Sequence, residues 1–192
     1  MYRLTLLIFT ALISFPATAD WKKMEPRDCA VKAISQILEG GEGSCWMNRN
    51  QQNGSYQDQY SIVRNDTLLL SSLVVARAQR YYPHSMNQSG FEKQIKYFGY
   101  VKDRFRSASS SQSPKTIYIS KPNKKVPVYT VSLDEGVKCR GFSLGLFPAN
   151  DLEGGTSNRG FNQIMTALVC SFSGDTSNLD EVLGSLEMAY RR

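Results

Sequence analysis

Alternation of apolar and polar positions is clearest in the last third of the chain, over residues 137–171. Two stretches of small, β-branched and aromatic residues flank a Gly-, Asn- and Ser-rich connection at residues 148–160, and such stretches are typical of β-strands. An antiparallel hairpin brings the start of its first strand to the end of its second. Cys139 and Cys170 occupy those two ends, so we expect them to lie close together.

Shorter stretches of the same kind predict strands at residues 56–63, 116–120 and 126–133. Residues 68–78 form an apolar run that is compatible with a buried strand or with a helix, because so short a run does not reveal its period. The β-branched pair Val74 and Val75, together with the preceding turn, favours the strand.

Three stretches have helical spacing. Residues 26–39 begin at a proline and end before two glycines, residues 89–106 place apolar side chains on one face, and a third helix is expected to begin at Asn178. Together these elements predict a single α+β domain. Its antiparallel sheet would have about five or six strands, with two or three helices packed mainly on one face and disulfide cross-links.

The first residues predict export. Arg3 precedes an apolar run at residues 4–15, and an A-x-A cleavage site ends at Ala19. The run is shorter than the roughly 20 residues of a spanning helix. We therefore expect a signal peptide at residues 1–19 and an exported domain at residues 20–192, periplasmic or secreted, with no stable membrane insertion after cleavage. An uncleaved membrane anchor is the alternative.

The cysteine count agrees with an oxidising compartment. Four cysteines follow the predicted cleavage site, and an even number there favours two disulfides over free thiols. Three pairings are possible in principle. We favour Cys29 with Cys45 and Cys139 with Cys170, because each bridge would join neighbouring segments.

Net charge narrows the range of partners. The formal charge of the chain is +6, and it falls by the one charge of Arg3, to +5, when the signal peptide is removed. Such a mild excess mainly favours solubility. A basic exported protein meets anionic lipid head groups, polysaccharides or acidic proteins, and we do not expect nucleic acid as a partner.

One motif suggests a hydrolase. Residues 141–145 match G-x-S-x-G, the nucleophile elbow of α/β-hydrolases, in which Ser143 would be the nucleophile. That mechanism requires a histidine after the serine, whereas His84, the sole histidine, precedes it. The motif also lies within a predicted strand. We therefore interpret its glycines as positions that allow a bulge or close packing against a helix.

Other chemistry is weakly indicated. His84 follows a Tyr-Tyr-Pro sequence and is interpreted as a turn residue, and no recognised spacing of ligands predicts a metal site. No C-x-x-C pair or phosphate-binding glycine loop is present, so no cofactor is predicted. Adjacent acids occur at Asp134 and Glu135, and again at Asp151 and Glu153, in predicted loops.

These observations favour a non-enzymatic binding or interaction protein of the bacterial cell envelope, whose partner would be a protein or another envelope component. The connection at residues 148–160 is long for a hairpin, and long loops often carry function. Asp151, Glu153 and Arg159 within it form the predicted contact loop. One alternative is a small secreted hydrolase that uses loop carboxylates or an unrecognised nucleophile. Another is an assembly component of an envelope complex.

Overall fold

Strands dominate the fold. The computed structural model describes residues 21–49, 55–75, 87–109, 115–148 and 161–188, and 56% of these residues lie in strands. The strands are β1 (Trp21–Met24), β2 (Val31–Ala33), β3 (Glu42–Arg49), β4 (Tyr56–Arg64), β5 (Thr67–Val75), β6 (Phe105–Ser109), β7 (Thr116–Ile119), β8 (Lys124–Pro127), β9 (Tyr129–Leu133), β10 (Lys138–Pro148), β11 (Phe161–Ser171) and β12 (Leu186–Met188). The α-helices are α1 (Gln88–Ile95), α2 (Gly99–Lys102) and α3 (Leu179–Gly184).

Eight of these strands form one antiparallel sheet in the order β1-β3-β4-β5-β11-β10-β9-β6. Strands β3, β4 and β5 are consecutive in the chain, and so are β9, β10 and β11, which places two meanders side by side. Pairing of β5 with β11 joins the two meanders at the centre of the sheet. Two smaller sheets, β12 with β2 and β7 with β8, are separate from the main one.

Both sides of the main sheet are packed, so two apolar cores form. On the α3 side, strand residues such as Phe142 and Met165 pack against α3 and the two small sheets. On the α1 side, residues such as Leu70 and Leu168 pack against α1 and α2. Successive side chains of a strand point to opposite sides. This explains why Leu168 belongs to one core and its neighbour Val169 to the other.

The predicted α+β class is therefore wrong. The fold is mostly β, its main sheet has eight strands where five or six were expected, and helices cover both sides instead of one. One expected helix, at residues 26–39, is largely strand or turn, and another, at residues 89–106, is interrupted. Within the described residues, α1 is the one helix of seven or more residues.

The helix expected at residues 89–106 is divided into two short helices and the start of a strand. Helix α1 ends at Ile95, the backbone is extended at Phe98, α2 follows, and β6 then pairs with β9. Asn87 caps helix α1, because its side chain accepts a hydrogen bond from the Gly90 N–H at 3.0 Å. The apolar side chains that were expected on one helix face still share one core, because Phe91, Ile95, Phe98 and Val101 are all buried in it.

The helix expected at residues 26–39 consists of two short 3-10 turns on either side of β2. Pairing of β2 with β12 supplies partners to its backbone, and the carboxylate of Asp58 accepts a hydrogen bond from the Ala30 N–H. The C-terminal helix is present but short, because the chain leaves it to form β12. Contacts distant in sequence thus replace the local helical bonds that the apolar spacing suggested.

Other predictions are confirmed. The hairpin at residues 137–171 is the pair β10 and β11, and residues 56–63 form most of β4. The apolar run at residues 68–78 is a strand as far as Val75, with its last three residues outside the described part of the chain. The strand expected at residues 126–133 is divided into β8 and β9.

Candidate functional site

Both disulfides have the favoured pairing. Cys29 is bonded to Cys45, with 5.8 Å between the Cα atoms, and Cys139 to Cys170, with 4.0 Å. One bridge lies in each of the two cores. The described residues contain no free cysteine. The bridges are consistent with an exported protein.

Among the described residues, we find no helix with the length and hydrophobicity needed to cross a membrane.

Ser143 has no feature of a nucleophile elbow. It lies in the middle of β10, is 3% exposed, and is directly opposite Thr166 on β11. The two hydroxyl groups are hydrogen-bonded to each other at 2.9 Å. A nucleophile elbow places its serine on a sharp turn between a strand and a helix. The G-x-S-x-G sequence is therefore part of the sheet.

Gly141 of the same motif permits close packing. A Cβ atom on this residue would lie 2.5 Å from the backbone oxygen of Ala167 and 2.9 Å from the ring of Phe91. Because neither distance is tolerable, only glycine lets α1 approach this part of β10. This confirms the interpretation that a glycine of the motif serves packing against a helix.

Several predicted site residues lie outside the described residues. These are His84 and the contact-loop residues Asp151, Glu153 and Arg159. The other predicted acidic pair follows β9, where Asp134 accepts a hydrogen bond from Arg106 on the protein surface. In the described ranges, no three histidine, cysteine or acidic side chains are grouped so that they could hold a metal ion.

Two carboxylates organise structural contacts. Asp180 of α3 accepts a hydrogen bond from Arg140 of β10 at 3.1 Å and also pairs with Lys115. Asp66, in the turn between β4 and β5, accepts hydrogen bonds at 2.6 Å from the hydroxyl groups of Ser171 and Ser173. These bonds, the one from Ser171 foremost, lower the pKa of Asp66 because they favour its charged form. Both carboxylates fasten neighbouring elements together.

The most distinctive surface is an uncharged polar patch on the α1 side of β3, β4 and β5, beyond the part that α1 and α2 cover. We call it the Trp46 face. Strand register places Trp46 opposite Gln59, and Gln59 opposite Ser72. The eight positions of the face are Ser44, Trp46, Asn48, Gln57, Gln59, Ser61, Ser72 and Val74.

Some side chains of the Trp46 face are paired with one another. The hydroxyl groups of Ser44 and Ser61 lie 2.7 Å apart, and the Gln57 amide donates to the Ser72 hydroxyl at 3.2 Å. Trp46, in contrast, is 41% exposed. Within the described chain, neither its indole nor the side-chain amides of Asn48 and Gln59 form a hydrogen bond. Their hydrogen-bonding groups are therefore available to a ligand.

The rim of this face carries charge. Strand β1 places Lys23 opposite Trp46 and Trp21 opposite Asn48, so both tryptophans of the protein lie on the same side of adjacent strands. Glu42 is at the opposite end of β3 from Asn48 and on the same side as Trp46. One positive and one negative side chain thus flank an uncharged centre.

Sequence analysis did not identify this face. A signal was nevertheless present at residues 56–61, where the neutral polar residues Gln57, Gln59 and Ser61 alternate with residues that become buried. On β4 the buried set includes Tyr56, Asp58 and Tyr60. What the sequence does not contain is the register that brings Trp46 and Gln59 together.

Comparison of the chain with protein-family models, curated proteins and solved structures finds no match.

Proposed function

We propose that this chain is an exported, non-enzymatic binding protein of the bacterial cell envelope, and that it binds an envelope component through the Trp46 face. The observation that carries the proposal is the exposure of Trp46 among neutral hydrogen-bonding side chains. Tryptophan is enriched among the residues that contribute most to binding, since it buries a large apolar area and can also donate a hydrogen bond.

The folding role of Trp46 does not account for its position. Its strand neighbours Cys45 and Met47 point to the α3 side, where Cys45 is fully buried. Trp46 is outside both apolar cores. Because the indole belongs to neither core and is 41% exposed, it has apolar area to offer to a ligand.

The proposal also includes export. The chain would be cleaved after Ala19 and would reside in the periplasm or outside the cell. The two disulfides support it, because such bonds persist in oxidising compartments. The contact loop with Asp151, Glu153 and Arg159 stays a separate prediction, because it lies outside the described residues.

The test is co-sedimentation of the mature, disulfide-bonded chain with washed insoluble envelopes of the source bacterium. Wild-type protein should pellet with the envelopes, and Trp46→Ala should lower its apparent affinity about tenfold or more, the effect of truncating a binding hot spot. Tyr97→Ala is the matched control, because Tyr97 is an aromatic residue with 70% exposure that follows α1. Equal pelleting of wild type and Trp46→Ala would contradict the proposal.

A further inference from the structure

We propose that the Trp46 face binds an uncharged glycan. This inference rests on the proposed function and specifies the class of its ligand. It follows from three properties of the face, which are its exposed indole, its free amide groups and its balance of charge.

The chemistry of the side chains matches that of a sugar ring. A pyranose has one or two faces made of C–H groups and a rim of hydroxyl groups that both donate and accept hydrogen bonds. The negative face of an indole ring attracts C–H groups, and its large apolar surface excludes water from them. A side-chain amide donates through nitrogen and accepts through oxygen, so Asn48 and Gln59 can each satisfy adjacent hydroxyl groups.

The strand geometry gives these groups a spacing that suits one ring. Gln59 lies directly across from Trp46, and side chains in such positions have Cβ atoms about 5 Å apart. Asn48 follows Trp46 by two residues on the same strand, a distance of about 7 Å. A ring stacked on Trp46 would therefore place its hydroxyl rim near both amides. Trp21 extends the aromatic surface to the edge of the sheet.

Charge complementarity favours a neutral ligand. All eight positions of the Trp46 face are uncharged, and at its rim Lys23 and Glu42 have opposite signs. An anionic ligand placed over the centre would meet one cation, Lys23, and one anion, Glu42, so the face offers no net positive charge to offset the hydration that the ligand loses. A neutral hydroxyl ligand exchanges hydrogen bonds with water for hydrogen bonds with amides at little cost.

A protein partner fits the face less well. Stable protein interfaces bury about 800 Å² on each partner around an apolar centre. Trp46 and Val63 are the two large apolar side chains that the described residues of β3, β4 and β5 expose. Most other positions of the Trp46 face carry amides or hydroxyl groups, which resemble a sugar-binding surface more than the centre of a protein interface.

The experiment measures binding of the mature, disulfide-bonded chain to a panel of immobilised neutral oligosaccharides, including glucose and N-acetylglucosamine oligomers. Uronic-acid oligomers of equal length serve as the acidic set. We expect saturable binding to at least one neutral member that changes little between 50 and 500 mM salt, values chosen to span weak and strong screening. Trp46→Ala should weaken it about tenfold, Trp46→Phe should restore part of it, and Tyr97→Ala should leave it unchanged.

Three outcomes would overturn the inference. The first is preferential binding of uronic-acid oligomers that weakens with salt and is lost in Lys23→Gln. The second is the absence of binding to every neutral glycan while envelopes still retain the protein through Trp46, in which case the proposed function survives and the ligand is of another class. The third is glycan and envelope binding that are both insensitive to Trp46, which would contradict the inference and the proposed function together.

Discussion

The α1 side of the main sheet has two halves that differ in chemistry although they share strands. On β5, Leu68 and Leu70 are buried beneath the helices, while Ser72, the next residue on that side, is hydrogen-bonded to Gln57. On β11, Leu168 is buried in the same core. Thr166, two residues earlier and on the same side of the strand, is hydrogen-bonded to Ser143. A step of two residues along each strand thus leads from an apolar core to buried hydroxyl groups, and on β5 the Ser72 hydroxyl borders the polar side chains of the Trp46 face.

Under the proposed function, one sheet would serve folding through one half and binding through the other. The helix-covered half gains stability from burial of apolar area, which is insensitive to the exact direction of each group. Binding through the Trp46 face, as proposed, would depend on directional hydrogen bonds, so its groups would need fixed positions. The strands supply those positions because the opposite side of β3, β4 and β5 is packed in the α3-side core, through residues such as Cys45, Tyr60 and Leu73.

Removal of Phe91 should have the largest effect on the helix-covered half. Its ring is fully buried and stacks on Tyr129 with 4.9 Å between ring centroids. Phe91→Ala should lower the free energy of unfolding by about 3–5 kcal/mol, since a large cavity replaces the ring. Urea unfolding followed by circular dichroism measures this change. Tyr97→Ala, on the exposed surface nearby, should change stability by about 0.5 kcal/mol or less.

A loss below about 1 kcal/mol for Phe91→Ala would mean that the helices contribute little to this core. The comparison between the two halves would then fail, because the covered half would no longer be distinguished by packing. Binding through the Trp46 face should persist in this variant as long as the protein remains folded.

Removal of the bridge in the helix-covered half should have the next largest effect. The double variant Cys139→Ala and Cys170→Ala should lower the free energy of unfolding by about 2–4 kcal/mol, because the bridge restricts the unfolded chain. Cys29–Cys45 remains intact in this variant and serves as an internal control in non-reducing peptide mapping. Unchanged stability would indicate that the reduced chain is already ordered by its other contacts.

The smallest effect is expected at the boundary between the halves. Ser143→Ala leaves the buried hydroxyl of Thr166 without its partner and should lower the free energy of unfolding by about 1–2 kcal/mol. Adding Thr166→Val removes the second polar group and should recover part of that loss, so the two effects should not add. Urea unfolding of the four proteins in this cycle tests the coupling. Strictly additive losses would show that the hydrogen bond contributes nothing specific.

The sequence predicted those parts of the fold in which local pattern and final contacts agree. The hairpin of β10 and β11 has alternating residues on both strands and a cysteine pair in register, so its two signals agree. The helix expected at residues 89–106 was wrong because an apolar stripe requires only that its side chains reach one core. Helix α1, α2 and the start of β6 achieve this with a broken path.

Residues 26–39 show a second reason why a predicted helix can be wrong. Their helical spacing was overridden by partners from distant parts of the chain, which are β12 for the backbone of β2 and Cys45 for Cys29. The Trp46 face could not be predicted for the same reason. Trp46, Asn48 and Gln59 are ordinary surface residues until the pairing of β3 with β4 brings them together.

The Cys139–Cys170 bridge also affects the covalent integrity of the chain. It joins two residues 31 positions apart, and the entire connection between β10 and β11 lies between them. A protease that cut this connection would produce two polypeptides that stay linked through sulfur. The cleaved protein would migrate as one species until a reductant was added, and its two fragments would retain the pairing of their strands.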